Sequence, residues 1–354
     1  MTEPLRAAVI GLGAMGANHV RVYGEMPGIE LVAVADVDEG RVAAAAAQQS
    51  RAESPRHGAL AVAGYDDYRR MLDEQRIDLL TVAVPTRAHL EVASAAIERG
   101  IATLVEKPLA ATIDEGRELR DLARRAGVLL TVGHVERFNP AVFELKQRLA
   151  AGEAGRIFQV HARRVGPFPQ RVRDVGVALD LAPHDIDVMR FLLDSDIVRV
   201  HAETEQRINT EHEDMLLGML RFANGVVGVL DVNWLTPTKI RELSVLGERG
   251  MFVVDYLARS LTFYENDHHQ HEEPAGWAAR HTKGVSEGPV RAIAVEKREP
   301  LRVELEAFAA AVRAGGPPPV SPDDAIAAMR AAEALVRAGD TGEDVVLPLR
   351  AAPA

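Results

Sequence analysis

Residues 5–16 read Leu-Arg-Ala-Ala-Val-Ile-Gly-Leu-Gly-Ala-Met-Gly, and this stretch decides how the chain begins to fold. Its first half is short and largely apolar, which is typical of a strand buried on both faces of a parallel sheet. The glycines that follow fit a turn from that strand into a helix. Gly11 permits the tight turn, Gly13 lets the backbone approach a pyrophosphate, and Gly16 lets the helix pack closely on the strand.

The first 135 residues continue this alternation of short apolar runs and amphipathic stretches. Further strand candidates are residues 31–35, 77–84, 101–105 and 128–132, and helix candidates are residues 42–49, 89–99 and 113–126. Strands that alternate with helices favour an α/β fold with a doubly wound parallel sheet, the Rossmann arrangement.

The second half has a different pattern, in which a helix at 141–150 leads into longer strand candidates. These are residues 156–164, 215–222, 226–234, 240–246 and 251–256. The pair Asn224-Gly225 predicts a hairpin turn between two of them. We therefore expect an α+β domain with an open, mainly antiparallel sheet. Two last helices, near 304–313 and 323–338, follow it. The predicted domains are 1–135 for nucleotide binding and 136–354 for substrate and oligomerisation, with the last helices packing back on the first.

Composition excludes several classes of protein. The 354 residues carry 41 Lys plus Arg against 52 Asp plus Glu, a net charge of −11, and no Cys. An acidic chain is a poor binder of nucleic acids or anionic membranes, and the absence of Cys rules out thiolate chemistry and disulfides. The sequence shows neither a secretory signal nor an apolar run of about 20 residues. These features predict a soluble, cytoplasmic protein with no nucleic-acid or membrane partner.

The glycine turn also predicts a cofactor. A helix that begins there offers N–H groups and a positive dipole to phosphates. Asp36 ends the next predicted strand, 20 residues after Gly16; its carboxylate would accept bonds from ribose hydroxyls and repel a 2′-phosphate. No Arg adjoins Asp36 in sequence, so we expect NAD rather than NADP. The alternative is a glycine-rich turn without a ligand. The predicted cofactor contacts are Gly11, Gly13, Ala14, Met15, Gly16, Asp36, Val84, Pro85, Thr86, His89, Glu106 and Lys107. For Thr86, a helix N-cap is the competing interpretation.

Two further motifs carry a family resemblance. Glu106-Lys107-Pro108 follows a predicted strand, and Asp180-Leu181-Ala182-Pro183-His184 contains the pattern Asp-x-x-x-His. Together with the glycine turn they resemble the Gfo/Idh/MocA family of oxidoreductases over nearly the whole chain. Residues 132–140 and 174–180 are similar to the branch that oxidises the 3-hydroxyl of UDP-N-acetylglucosamine or its uronic acid. The resemblance implies an NAD-dependent dehydrogenase acting on a sugar hydroxyl.

The catalytic candidates follow from the chemistry of that oxidation. A secondary alcohol needs a base for its proton and an acceptor for its hydride. We expect His184 to be the base, in the first turn of a helix that begins at Pro183, where the dipole would disfavour a charged imidazole. The resemblance implies that Lys107 stabilises the developing alkoxide. We add the hypothesis that a cis bond to Pro108 aims the Lys107 side chain inward. Asp180 would orient substrate or His184. The competing interpretation of His184 is a core or capping histidine. The competing interpretation of Lys107 is a surface lysine paired with Glu106.

Substrate contacts are predicted at Arg137, Asn139, Arg163, Arg164 and Asp187. Four arginines form a cluster that suits a diphosphate: Arg163, Arg164, Arg171 and Arg173. A solvated basic loop explains this cluster equally well. Asp187 competes with Asp180 for the role beside His184. Three histidines, His268, His269 and His271, lie in an acidic loop, but we expect no metal site there.

Three functions remain open. The first is a sugar-nucleotide 3-dehydrogenase, the second an NAD-dependent dehydrogenase of inositol or a free sugar, and the third a non-catalytic NAD-sensing regulator. The free face of an open sheet predicts a homodimer or homotetramer, with a small sugar or sugar nucleotide as the other partner.

Overall fold

A computed structural model describes residues 3–51, 62–169, 176–208, 211–267 and 286–349, with only the backbone of residues 48–51. These residues divide into two compact units. The first comprises Met1–Phe138 and Glu299–Ala327, and the second comprises Asn139–Arg298 and Ala328–Ala354.

The first unit contains a parallel sheet of six described strands. They run in the order β3-β2-β1-β4-β5-β6, and every pairing between neighbours is parallel. This is the order of a doubly wound dinucleotide-binding sheet, so the predicted α/β class is confirmed. The strands are β1 (Leu5–Ile10), β2 (Ile29–Ala35), β3 (Ala63–Tyr65), β4 (Leu79–Val82), β5 (Ala102–Glu106) and β6 (Leu130–Gly133).

The second unit contains a sheet of nine described strands in the order β14-β13-β12-β11-β7-β10-β9-β8-β15. All neighbours are antiparallel except β7 and β10, which confirms the predicted open, mainly antiparallel sheet. The strands are β7 (Ile157–Pro167), β8 (Ile197–Glu205), β9 (Met215–Phe222), β10 (Val227–Asn233), β11 (Leu235–Gly247), β12 (Gly250–Asp255), β13 (Ser260–Asn266), β14 (Glu287–Ile293) and β15 (Val345–Val346).

The helices are bounded by residues whose chemistry fits their positions. Thr112 and Glu115 form a reciprocal capping box at the start of the fifth helix, and Gly127 ends it with a left-handed backbone. The helices are α1 (Ala14–Glu25), α2 (Glu39–Arg51), α3 (Tyr68–Glu74), α4 (His89–Ile97), α5 (Ile113–Ala126), α6 (Pro140–Ala150), α7 (Val177–Leu193), α8 (Pro300–Ala314) and α9 (Pro322–Thr341). Within the described ranges, no helix is long and apolar enough to cross a bilayer.

Each unit has its own apolar core. In the first unit, α8 contributes Leu305 and Phe308 to a cluster that also contains Val20 and Tyr23 of α1, so this late helix belongs to the nucleotide-binding unit. In the second, α6, α7 and α9 supply apolar side chains to a core on one face of the nine-stranded sheet. The other face of that sheet is left uncovered by these helices.

Candidate active site

The turn between β1 and α1 has the geometry that its glycines predict. Gly11 has a φ of 90°, and a Cβ there would lie 2.5 Å from the carbonyl oxygen of Ala83. A Cβ at Gly16 would lie 1.8 Å from the carbonyl oxygen of Gly11. Gly13 has open space at its Cβ position and is the N-cap of α1 without a side-chain cap. The helix N-terminus therefore presents its N–H groups to an open region, as phosphate binding requires.

Asp36 directly follows β2 and is fixed by the backbone. Its Oδ2 accepts a hydrogen bond from the N–H of Leu12 at 2.6 Å, and its Oδ1 accepts one from Asp38 at 2.9 Å. No Arg adjoins Asp36 in sequence, but folding places one beside this carboxylate. The first turn of α2 brings Nη1 of Arg41 to 3.8 Å from Oδ2 of Asp36 and its Nε to 3.3 Å from Asp38.

A cleft of about 410 Å³ connects these features within the first unit. Predicted residues Gly11, Gly13, Asp36, Val84 and Pro85 line it, while Ala14 and Met15 begin the helix beside it. Its size suits part of a cofactor, and its polar end fits a ribose while the glycine turn fits a pyrophosphate. The described residues therefore fit a dinucleotide.

Sequence reasoning missed one side of this cleft, formed by Arg41, Asp66, Tyr68 and Glu91. Burial raises the pKa of Tyr68 to about 12, so its hydroxyl keeps its proton and donates to Glu91 at 3.0 Å. These residues come from the first turn of α2, from the segment after β3 and from α4. The short strand β3 and the helix α3 were not predicted, so no pattern pointed to this wall.

The segment after β4 gives a mixed outcome for its predicted cofactor contacts. Val84 and Pro85 line the cleft, whereas Thr86 begins a one-turn 3-10 helix and is not an N-cap, because Pro85 and Ala88 hold the N-cap positions. His89 is buried, with Nδ1 2.9 Å from the carbonyl oxygen of Pro108 and Nε2 3.0 Å from that of Val84. Its ring is therefore committed to the main chain rather than presented to a cofactor. Burial lowers the pKa of His89.

Glu106 and Lys107 lie where β5 ends, at the same edge of the sheet as the glycine turn. Ligands of such sheets bind at this carboxyl edge. Oε1 of Glu106 is 2.8 Å from Nε2 of His19, and its Oε2 accepts a hydrogen bond from the backbone N–H of Lys107 at 3.2 Å. The peptide bond between Lys107 and Pro108 is cis.

The second motif lies in the second unit, where the predicted helix start is wrong. The helix α7 begins at Val177, so Pro183 is inside it and His184 is in its third turn. The helix dipole therefore gives no reason for a neutral His184. A distant residue sets the start: the backbone oxygen of Glu213 accepts from Val177 at 2.9 Å, and its Oε1 accepts from Ala178 at 3.1 Å. A side chain at Gly176 would overlap that carboxylate.

The extended helix brings three predicted residues to one face. Asp180, His184 and Asp187 are spaced four and three residues apart, so they share a side of α7. Asp180 and Asp187 are buried, whereas His184 is half-buried. A partly accessible imidazole between two buried carboxylates can exchange a proton with a ligand and be oriented by a neighbour.

The two adjacent arginines of β7 point to opposite faces of the sheet. Arg164 is buried and forms a two-point ion pair with Asp185, its Nε 2.7 Å from Oδ2 and its Nη2 3.0 Å from Oδ1. This guanidinium is therefore not an exposed fork for a diphosphate. Arg163 is half-exposed and lies 3.2 Å from Asp231 on the neighbouring strand. Arg171 and Arg173 lie outside the described residues.

Two other predicted substrate contacts have structural partners. Arg137 is buried in the first unit, 3.4 Å from Asp324. Asn139 caps α6 through the N–H of Ala141 and donates to the carbonyl oxygen of Tyr256 at 3.2 Å. The expectation that they meet the substrate has no support in these contacts.

Metal ligands were not expected, and the described part of the chain holds no group of three or more acidic or histidine side chains arranged for a metal ion. His268, His269 and His271 lie outside the described residues.

The comparisons with known proteins match both units. Residues 5–134 match the model of the Gfo/Idh/MocA oxidoreductase family with an NAD-binding Rossmann fold. Residues 142–253 match the model of a C-terminal domain of the same family. The chain belongs to the Gfo/Idh/MocA family of oxidoreductases. It accordingly binds NAD, and the residues that match the NAD-binding Rossmann model lie in its first unit.

Its relatives include enzymes with two kinds of substrate. Inositol 2-dehydrogenase 1 of Saccharopolyspora erythraea is 30% identical over 366 residues, covering 99% of this chain and 98% of the relative. Inositol 2-dehydrogenase 2 of the same organism is 32% identical over 229 residues, covering 63% of this chain and 65% of the relative.

The third relative acts on a sugar nucleotide. UDP-N-acetylglucosamine 3-dehydrogenase of Acidithiobacillus ferrooxidans is 27% identical over 313 residues, 88% of this chain and 90% of the relative. Its crystal structure superposes with a TM-score of 0.80 at 26% identity, covering 96% of this chain and 99% of that one. These similarities establish an oxidoreductase with sugar and inositol dehydrogenases among its relatives, and they leave the substrate open.

Proposed function

We propose that this oxidoreductase uses NAD to oxidise a secondary hydroxyl of a sugar, namely the 3-hydroxyl of a UDP-N-acetylhexosamine or its uronic acid. The observation that carries the proposal is the position of Lys107. It directly follows β5, at the carboxyl edge of the sheet whose first turn fits a pyrophosphate. An ammonium at that edge is suited to an oxygen that gains negative charge as hydride leaves its carbon.

The proposed roles divide between the two units, which serve as the NAD-binding domain and the substrate domain. Bound NAD supplies the hydride acceptor. Lys107 of the first unit orients the hydroxyl and stabilises the alkoxide. His184 of the second unit accepts the hydroxyl proton, and Asp180, one turn earlier on the same face, orients the imidazole. Asp187 is the competing orienting residue.

Replacing Lys107 and His184 individually with Ala tests these roles. Each change should lower kcat about 10²–10⁴-fold, the usual scale for proton-transfer groups. Cofactor affinity should be unchanged, because neither residue lies in the glycine turn that we expect to hold the cofactor. Steady-state kinetics gives kcat, and the fluorescence of bound NADH gives the cofactor affinity, which should survive. Wild-type turnover in both variants would refute the roles.

Asp180→Asn and Asp187→Asn then separate the two carboxylates. Both changes preserve shape and remove charge, so they form a matched pair on one helix face. The orienting carboxylate is the one whose loss lowers kcat without raising KM. Equal effects from both variants would contradict the assignment to Asp180.

The sugar-nucleotide substrate is supported by residues 132–140 and by the full-length similarity to the UDP-N-acetylglucosamine enzyme. The second candidate, an inositol or free-sugar dehydrogenase, is favoured by a specific observation: Arg164 is committed to Asp185 and is not displayed to a diphosphate. A third candidate, a non-catalytic NAD sensor, conflicts with the presence of Lys107, Asp180 and His184.

A substrate panel distinguishes these candidates. NADH formation should occur with UDP-N-acetylhexosamines, and UDP-sugar rather than inositol should raise the Tm. NMR of the product should locate the new ketone at C3. Activity on inositol alone would establish the second candidate, and no NADH with either class would revive the third.

We also propose that NAD is used in preference to NADP, because both oxygens of Asp36 are held facing the ribose end of the cleft by backbone N–H groups. Arg41, beside this carboxylate, provides the test of that preference. Arg41→Ala should leave the KM for NAD near its wild-type value and raise the KM for NADP further. Comparable KM values for the two cofactors in the wild type would contradict the preference.

Association of the chain into a dimer or tetramer in the cytoplasm completes the proposal. The face of the nine-stranded sheet away from the helices carries exposed apolar side chains, among them Leu217, Met219 and Val290, with 47%, 54% and 54% exposure. We infer that this face is where a second copy of the chain associates. Light scattering at micromolar concentration should give at least twice the chain mass, and a monomer would refute the idea.

A further inference from the structure

A buried histidine that sequence analysis did not single out contacts the Lys107 segment. His19 lies in α1, three residues after Gly16, and its side chain is fully buried. Its Nε2 is 2.8 Å from Oε1 of Glu106, 87 residues away in sequence. This contact joins the helix that follows the glycine turn to the end of β5.

The surroundings of the ring determine which nitrogen carries the proton. Nδ1 of His19 is buried and has no hydrogen-bond partner among the described residues. A proton on that nitrogen would be buried without an acceptor, which is costly. Nε2 therefore carries the proton and donates it to Glu106.

Glu106 also accepts a hydrogen bond from the backbone of Lys107. While Oε1 accepts from His19, Oε2 accepts from the backbone N–H of Lys107 at 3.2 Å. Gly133, paired with Glu106 across β5 and β6, leaves room for the carboxylate, because a Cβ there would lie 3.1 Å from the Glu106 Cδ. The Glu106 side chain is thus held at both oxygens in a space that its neighbour leaves open.

We propose that His19 is a positioning residue for the dehydrogenase reaction, which holds the Glu106 carboxylate and through it the backbone of Lys107. The inference rests on the proposed role of Lys107. Without the His19 donor, Oε1 would lose a buried partner and the carboxylate would turn to find another. The backbone of Lys107 would then lose its fixed acceptor, and misplacement by about 1 Å can cost about 10²-fold in rate.

Two amide variants test the contact with matched chemistry. The amide of His19→Gln reaches the position of Nε2 and can still donate to Glu106. The shorter amide of His19→Asn ends near the position of Nδ1 and does not reach it. Tyr23→Phe is the control: it removes a different buried hydrogen bond of α1, the one between the Tyr23 and Thr81 hydroxyls at 3.0 Å, and leaves Glu106 untouched.

The expected result is a split between turnover and binding. His19→Asn should lower kcat about 10²-fold with little change in the KM for substrate or in NADH affinity, and His19→Gln should recover most of the turnover. Tyr23→Phe should lower the Tm while kcat stays at the wild-type value. If the Asn and Gln variants turn over equally, or if kcat falls in Tyr23→Phe as it does in His19→Asn, the proposal is wrong.

The Lys107→Ala background separates this inference from the proposed function. If His19 acts through Lys107, His19→Asn should lower the residual rate of Lys107→Ala no further, because the two effects are not additive. A full additional loss in the double variant would overturn the positioning role. Wild-type turnover in Lys107→Ala itself would instead refute the proposed role of Lys107, whatever the His19 variants do.

Discussion

The glycine turn at Gly11–Gly16 and the helix at Val177–Leu193 both carry motifs that the sequence singled out, but they are built in different ways. In the turn, one decisive contact lies close in sequence, because a Cβ at Gly16 would meet the oxygen of Gly11. The start and packing of the helix depend on Glu213 and Arg164, which come from other elements. Local steric rules therefore predicted the first correctly and misplaced the start of the second.

The largest expected effect tests the distant support of the helix. Arg164→Leu removes the two-point ion pair of the buried Asp185 on α7, so it should lower the free energy of unfolding by about 3–5 kcal/mol. Arg163→Leu is the matched control on the opposite face, where the half-exposed pair with Asp231 should contribute at most about 1 kcal/mol. Urea unfolding measures both. Equal losses would mean that α7 does not depend on the Arg164 pair.

The next effect tests the local design of the turn. Gly16→Ala forces a Cβ to within 1.8 Å of a backbone oxygen, so α1 must shift. This shift should lower the free energy of unfolding by about 1–3 kcal/mol. Gly13→Ala has open space at that position and should change stability by less than about 0.5 kcal/mol, yet weaken NADH binding by blocking the approach of the pyrophosphate. Thermal melts and NADH fluorescence separate the two effects. A Gly13→Ala variant with wild-type affinity would show that the cofactor does not approach this backbone.

A smaller loss of stability is expected when the N-terminal cap of α7 or of α5 is removed. Glu213→Ala removes the side-chain acceptor at the start of α7, and Thr112→Ala removes the cap of α5. Each should cost about 1 kcal/mol. Only the cap of α5 is local, so a peptide of residues 110–128 should lose helicity when Thr112 is replaced. Unfolding experiments and circular dichroism measure these quantities, and an unchanged stability in Glu213→Ala would contradict its role.

The smallest effect concerns pH. Burial lowers the pKa of His89 below its ordinary value of 6.5, so below that pH the unfolded chain binds a proton that the folded chain does not. The free energy of unfolding should therefore fall as the pH falls, by at most about 0.7 kcal/mol between pH 7 and pH 6 for this group. His89→Asn keeps a donor toward Pro108 and should flatten this dependence. A steeper dependence in His89→Asn would be the opposite of this expectation.

Sequence patterns predicted the elements that carry strong local signals. The strand β1, the strand β9 and the helix α5 have the predicted bounds, because uniform apolar runs and paired caps are properties of a few neighbouring residues. The strand β3 and the helix α3 were missed, since three and seven residues are too few for a clear periodic signal. Because these elements were missed, the side of the cleft that contains Asp66 and Tyr68 was missed as well.

Candidate residues divide in the same way. The sequence singled out Asp36, Lys107 and His184 through motifs. Asp36 and Lys107 each directly follow a strand, and His184 is half-buried on one face of α7. It assigned Arg164 and Asn139 to substrate because an arginine or an asparagine looks available until its partner is known. Asp185 and Tyr256 are those partners, and only folding brings them near.

By itself, the sequence determined the class of the first domain, the glycine turn, NAD as the cofactor and the family, because these follow from the conformational limits of glycine and from short spacings. The tertiary structure alone decided where α7 begins, which arginines are available, that Arg41 lies beside Asp36, and that His19 holds Glu106. These are contacts between residues far apart in the chain, and their energies depend on burial and distance, which no local pattern encodes.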